Sequence, residues 1–88
     1  MYGVADLVRF VDGEPVEVVE LKSYEEHSRY DEVQAELYAY LVYRAFGTKP
    51  KAYLVLGWDG RRYSKRVEVP WSPEEVEELI ARALEKLQ

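Results

Sequence analysis

The sequence predicts a small α/β domain in the order β-β-α-β-β-α, with a mixed four-stranded sheet, one crossover helix and a packed C-terminal helix. Three observations carry that prediction. Two tight-turn signals, Asp12-Gly13 and Asp59-Gly60, each separate segments rich in β-branched residues. Between the two hairpins, a long stretch places apolar residues at helical spacing. The chain then runs through Trp71-Ser72-Pro73-Glu74-Glu75, a full helix start. With 88 residues there is room for a single domain, 1–88.

Residues 4–11 alternate imperfectly and read as a strand. Residues 16–22 form the second strand of the first hairpin, and 23–28 a polar loop. A helix follows from about Arg29 to Phe46, with Val33, Leu37, Tyr40, Leu41 and Ala45 as its apolar face. Ser28 can cap it, with Asp31 three residues on as an imperfect capping box. Gly47 ends it and Pro50 prevents a restart. Residues 52–56 are continuously apolar, as in a strand covered on both faces. A strand reached through a helix pairs in parallel by a crossover. Residues 62–69 are the return strand of the second hairpin. The last helix starts with Ser72 as N-cap, Pro73 in its first turn and Glu75 closing the box. Trp71 and Val76 can form a hydrophobic staple, and the helix runs to about residue 87.

Composition limits the chemistry. The absence of cysteine excludes a disulfide scaffold, a thiolate zinc site, an iron–sulfur cluster and a cysteine nucleophile in this chain. His27 is the sole histidine, so no His–His metal pair is available. Few Asn, Gln, Cys and Met beside many Glu, Lys and Arg is the bias of thermophile proteins. No apolar run approaches the ~20 residues that span a bilayer, and early charges at Asp6 and Arg9 argue against a signal peptide. The expected compartment is the cytoplasm.

The net charge of −5 argues against a polyanionic partner until its distribution is seen. Residues 1–43 hold ten acids and three bases, and residues 67–88 six acids and two bases. Residues 44–66 hold seven bases and one acid, Asp59. A basic block beside an acidic segment suits a site that holds a cation and docks a polyanion. The plainer reading is a solvated basic face.

Strand alternation puts Val18, Glu20 and Lys22 on one face. Asp6 lies on the paired strand, where the hairpin can bring it opposite the Glu20 region. Two carboxylates and a lysine then converge at one edge of the sheet. Charges on a core-side face are costly unless they serve a partner or a metal. Two hard oxygen ligands and a backbone carbonyl suit Mg²⁺ or Mn²⁺. A lysine beside such an ion can orient an attacking water and offset developing negative charge. Phosphodiester hydrolysis is the matching reaction class. The alternative is that Glu20 and Lys22 are an exposed strand pair and Asp6 a hairpin charge. On the helix, Gln34 and Tyr38 lie four apart and share a face. They could hold a water or a phosphate oxygen, or they could be a solvated glutamine and a core tyrosine.

Taken in order, Gly3-Val4-Ala5-Asp6, Glu20-Leu21-Lys22 and Gln34-Ala35-Glu36-Leu37-Tyr38 resemble the G-x-x-D, E-x-K and Q-x-x-x-Y motifs of the PD-(D/E)XK nuclease superfamily. The branch most similar is that of the RecB-like and CRISPR-associated exonucleases. The resemblance covers residues 3–55 and implies a restriction-endonuclease-like core. It implies Asp6 and Glu20 as metal ligands with the Leu21 carbonyl as a third, and Lys22 as the catalytic lysine. It also implies that Gln34 and Tyr38 orient the site or the nucleic-acid backbone. The sequence departs from the family in two respects. Only Met1 and Tyr2 precede the first motif, so the family's preceding helix is missing, supplied by another chain or replaced by the C-terminal helix. The iron–sulfur cysteines are absent. His27 follows the E-x-K motif and reads as a loop residue. The expected function is a Mg²⁺- or Mn²⁺-dependent nuclease acting on DNA rather than RNA, in a homodimer. The alternative is a non-catalytic nucleic-acid-binding or assembly module that keeps the nuclease fold.

Overall fold

A computed structural model describes residues 7–87. They form β1 (Leu7–Val11), β2 (Glu14–Leu21), α1 (Arg29–Phe46), β3 (Lys51–Leu56), β4 (Lys65–Val69) and α2 (Pro73–Glu85). The order is the expected one. The strands lie side by side as β1-β2-β3-β4 in one mixed sheet. Both hairpins are antiparallel, and β2 pairs in parallel with β3 across the α1 crossover. The β1–β2 turn places Asp12 at φ 52° and Gly13 at φ 82°. Two successive positive φ angles give the primed turn whose twist matches a tight hairpin. Of the expected first strand, residues 4–6 lie outside the described residues.

The expected return strand from residue 62 begins only at Lys65. Asp59 Oδ1 accepts from the Arg61 and Arg62 amides, both at 2.8 Å. Those amides close a turn and are lost to any ladder, so residues 57–64 connect β3 to β4.

Both halves of the capping box close at the start of α1, so Asp31 completes the box in the place where glutamate is usual. Gly47, at φ 80°, ends the helix by donating its N–H to the Tyr43 carbonyl at 2.7 Å. The buried face of α1 is not the expected one. Asp31, Ala35 and Ala39 are buried at i, i+4 spacing, joined on one flank by Glu36 and Tyr40. Of the five expected apolar positions only Tyr40 is buried, and Leu41 is 58% exposed. The alanines explain the difference. Their small side chains let the helix axis approach the sheet, and the larger side chains sit on the flanks of that contact. At α2, Ser72 Oγ accepts from the Glu75 N–H at 3.2 Å, and Trp71 and Val76 are both buried, as a staple requires.

The core lies between one sheet face and the helices. Val18, Ala52, Leu54, Leu56 and Val69 face Ala35, Ala39, Tyr40, Trp71 and Val76. The Trp71 indole N–H donates to the Pro50 carbonyl at 2.8 Å, and its ring meets Tyr43 edge-on. The Tyr40 hydroxyl donates to Glu77 at 2.9 Å and ties α2 to α1. Beyond Val76, α2 exposes Ile80 and Leu84. Among the described residues, no helix is long and apolar enough to cross a membrane.

If the alanine stripe sets the helix–sheet distance, Ala35→Leu should cost about 1–3 kcal/mol by overpacking. Leu41→Gln, on the exposed face, should stay within about 0.5 kcal/mol of wild type. Urea unfolding of both variants checks this; equal losses would contradict it.

Candidate active site

The parallel pairing of β2 with β3 brings the C-terminal ends of both strands to the same edge of the sheet. In open α/β sheets, the crevice outside those carboxyl ends is where ligands bind. The first turn of α1 returns to this edge because the loop after β2 is short. Three backbone bonds extend the edge beyond the strands. The Lys22 N–H donates to the Val55 carbonyl at 2.8 Å, the Trp58 N–H to the Lys22 carbonyl at 2.9 Å, and the Gly57 N–H to the Tyr24 carbonyl at 2.8 Å. Lys22 is thus fixed by its own main chain.

Glu20 points from β2 toward α1 and is 2% exposed. Lys22 Nζ lies 3.7 Å from Glu20 Oε1 and 3.8 Å from Asp31 Oδ1, and donates to Gln34 Oε1 at 3.1 Å. One ammonium therefore sits among two buried carboxylates and an amide oxygen. Gln34 is oriented from its other side, its NH₂ group donating to the Tyr30 hydroxyl at 3.4 Å. Leu21, between the two charged residues, pairs with Val55 in the ladder.

Of the residues expected at the site, Glu20, Lys22 and Gln34 are brought together. Tyr38, one turn further along α1, is half-buried and packs against the core. Asp6 lies outside the described residues. His27 Nε2 lies 2.9 Å from Glu32 Oε2, at the start of α1.

Asp31 is the participant that sequence reasoning assigned to capping alone. One carboxylate oxygen accepts from the Ser28 amide at 2.9 Å, and the other from the Tyr24 hydroxyl at 2.7 Å while facing Lys22. Burial pushes its carboxyl up, but the Tyr24 hydroxyl, the Ser28 amide and the Lys22 ammonium together hold it below the ordinary aspartate range. Desolvation, followed by the bond to Asp31, pushes the Tyr24 phenol up to about 12. It therefore remains a donor at neutral pH. The signal in the sequence was the spacing of Asp31 with Ala35 and Ala39, which sets an acid on the sheet-facing stripe.

No three Asp, Glu or His side chains converge tightly enough among the described residues to hold a metal ion by themselves. Glu20 and the Leu21 carbonyl are nevertheless the hard oxygen donors that Mg²⁺ takes, and Mg²⁺ commonly needs only one or two carboxylates beside its waters. No family model matches the chain, and neither curated proteins nor solved structures give a match.

The Asp31 contacts predict a specific acid limb. Its carboxyl titrates lower folded than unfolded, so its contribution to stability is present above the ordinary aspartate value of about 4 and is lost as pH falls through and below it. Asp31→Asn removes that contribution. Thermal unfolding across acidic pH should show the wild type losing melting temperature more steeply than the variant. Parallel acid limbs would contradict the assignment.

Proposed function

We propose that the chain is a Mg²⁺- or Mn²⁺-dependent nuclease with a restriction-endonuclease-like core, hydrolysing phosphodiester bonds of DNA. One observation carries this reading: a carboxylate and an ammonium on one strand face are drawn into the covered edge of the sheet and met there by a helix glutamine and aspartate. Burying charge is costly, and hydrophobic residues of similar volume would often serve stability as well. A solvated strand pair, the plainer alternative, would not be 2% exposed at its glutamate. The order of the Asp6, Glu20–Lys22 and Gln34–Tyr38 motifs supports the same reading.

A metal held by Glu20, the Leu21 carbonyl and Asp6 would supply Lewis-acid polarisation of the phosphate and lower the pKa of water. The protein's own part falls to Lys22. Its ammonium is positioned by Gln34 and Asp31 and keeps a donor for a phosphate oxygen or for the incoming water. Attack of that water on phosphorus forms the new P–O bond as the bond to the leaving oxygen breaks. Negative charge gathers on the phosphoryl oxygens, where a fixed cation in a poorly solvated corner acts most strongly. Gln34 holds the lysine without itself carrying charge.

Cleavage of linear and circular DNA with Mn²⁺, with and without EDTA, tests the proposal. The wild type should cut only with metal. Lys22→Ala should lower the rate by about 10²–10⁴, with far-UV circular dichroism checking the fold. Gln34→Ala, a milder change, should lower it by about tenfold at unchanged melting temperature. Cleavage that survives EDTA, or a wild-type rate in Lys22→Ala, would overturn the proposal. Metal-independent DNA binding without cleavage would favour a non-catalytic module.

A further inference from the structure

We infer that the β3–β4 turn, residues 57–64, grips the DNA strand entering the site, with Arg61 and Arg62 on its phosphates. The inference rests on the nuclease reading and adds the element that holds the substrate.

The turn leaves the same sheet edge as Lys22, and its Trp58 amide is bonded directly to the Lys22 carbonyl at 2.9 Å. Arg61 lies three residues beyond Trp58, so its Cα is at most about 11 Å from that of Trp58. A long guanidinium side chain on this turn is therefore near enough to serve phosphates flanking one held at Lys22.

Asp59 Oδ1 caps the Arg61 and Arg62 amides at 2.8 Å each, the Asp59 N–H donates to the Arg62 carbonyl at 3.1 Å, and Ser64 closes the loop onto Leu56 at 2.8 Å. Gly57 has φ 71°, and a Cβ there would collide with the Ser64 side chain. The two arginines are thus presented from a fixed backbone, which limits the entropy lost on binding.

Several other cations are already engaged. Arg9 and Arg66 pair with Glu17, Arg29 with Glu32 and Glu36, and Arg82 with Glu78; Arg44 donates to Tyr40. Arg61 and Arg62 are exposed, and their side chains meet no carboxylate among the described residues. Asp59, the sole acid between residues 44 and 66, is turned onto their amides. A protein of net charge −5 repels a polyanion overall, so local unpaired cations must supply the attraction. Beside them Tyr63 is 51% exposed, a ring on which a base of a single strand can stack.

The test is binding of a fluorescein-labelled single-stranded oligodeoxynucleotide across a KCl series in EDTA, with metal-dependent cleavage followed in parallel. Each phosphate contact of a single strand contributes about 0.7 to the slope of log K against log salt. Arg61→Gln with Arg62→Gln should therefore flatten the slope by about 1.4 at unchanged melting temperature. Arg82→Gln, on α2, should leave it unchanged. An unaltered slope in the double variant, or equal flattening in Arg82→Gln, would overturn the grip while wild-type cleavage leaves the nuclease reading standing. Flattening without any wild-type cleavage would support the grip and remove the nuclease. Absence of both binding and cleavage would remove both.

Discussion

Lys22 stands between two buried carboxylates, and the local structure depends on keeping its ammonium there. Its partners come from two elements: Glu20 from the end of β2, and Asp31 and Gln34 from the first two turns of α1. Without a cation between them, two buried carboxylates would face each other across the strand–helix junction, an arrangement that raises carboxyl pKa values and weakens the fold. The lysine thus fixes how the N-terminus of α1 meets the end of β2. Asp31 links this corner to the helix cap through Ser28 and to the preceding loop through Tyr24. One aspartate therefore couples helix initiation, loop conformation and lysine position.

Topology explains why these groups meet at all. A parallel strand pair joined by a crossover helix delivers two strand ends and a helix start to one edge. The alanine stripe of α1 allows the close approach that brings Asp31 and Gln34 within reach of Lys22. The β3–β4 turn leaves the same edge and is bonded to the main chain of Lys22 and Tyr24. The basic block in the sequence thereby divides in two. Arg44 and Arg66 are taken up by Tyr40, Glu17 and the Tyr53 ring, whereas Arg61 and Arg62 stand out from the turn.

The elements were legible because each carries local punctuation. Asp12-Gly13, Ser28 with Asp31, Gly47 and Ser72-Pro73 all act where the sequence puts them. The meeting of Glu20, Lys22 and Gln34 was also legible, since a two-residue strand period and a following helix are enough to bring it about. The sheet-facing stripe of α1 was not. Hydrophobic periodicity weighs Leu41 and Val33 above Ala35 and Ala39, whereas close packing against a sheet selects for small volume. Asp31 was hidden for a related reason: its capping role accounts for its presence, and its reach to Lys22 depends on the helix-to-sheet distance. The start of β4 was misplaced because an aspartate side chain, and not a ladder, takes the amides of residues 61 and 62.

The central claim is that the Glu20–Lys22 corner receives a divalent metal for phosphodiester hydrolysis. Titrating Mn²⁺ into ¹⁵N-labelled protein tests it most directly, because a paramagnetic ion broadens the amide signals nearest to it. The account predicts that the signals of Glu20, Leu21 and Lys22 broaden first, that those of Asp31 and Gln34 follow, and that those of Arg82 and Leu84 stay sharp. Broadening that begins on the acidic α2 helix, or that is uniform along the chain, would contradict it.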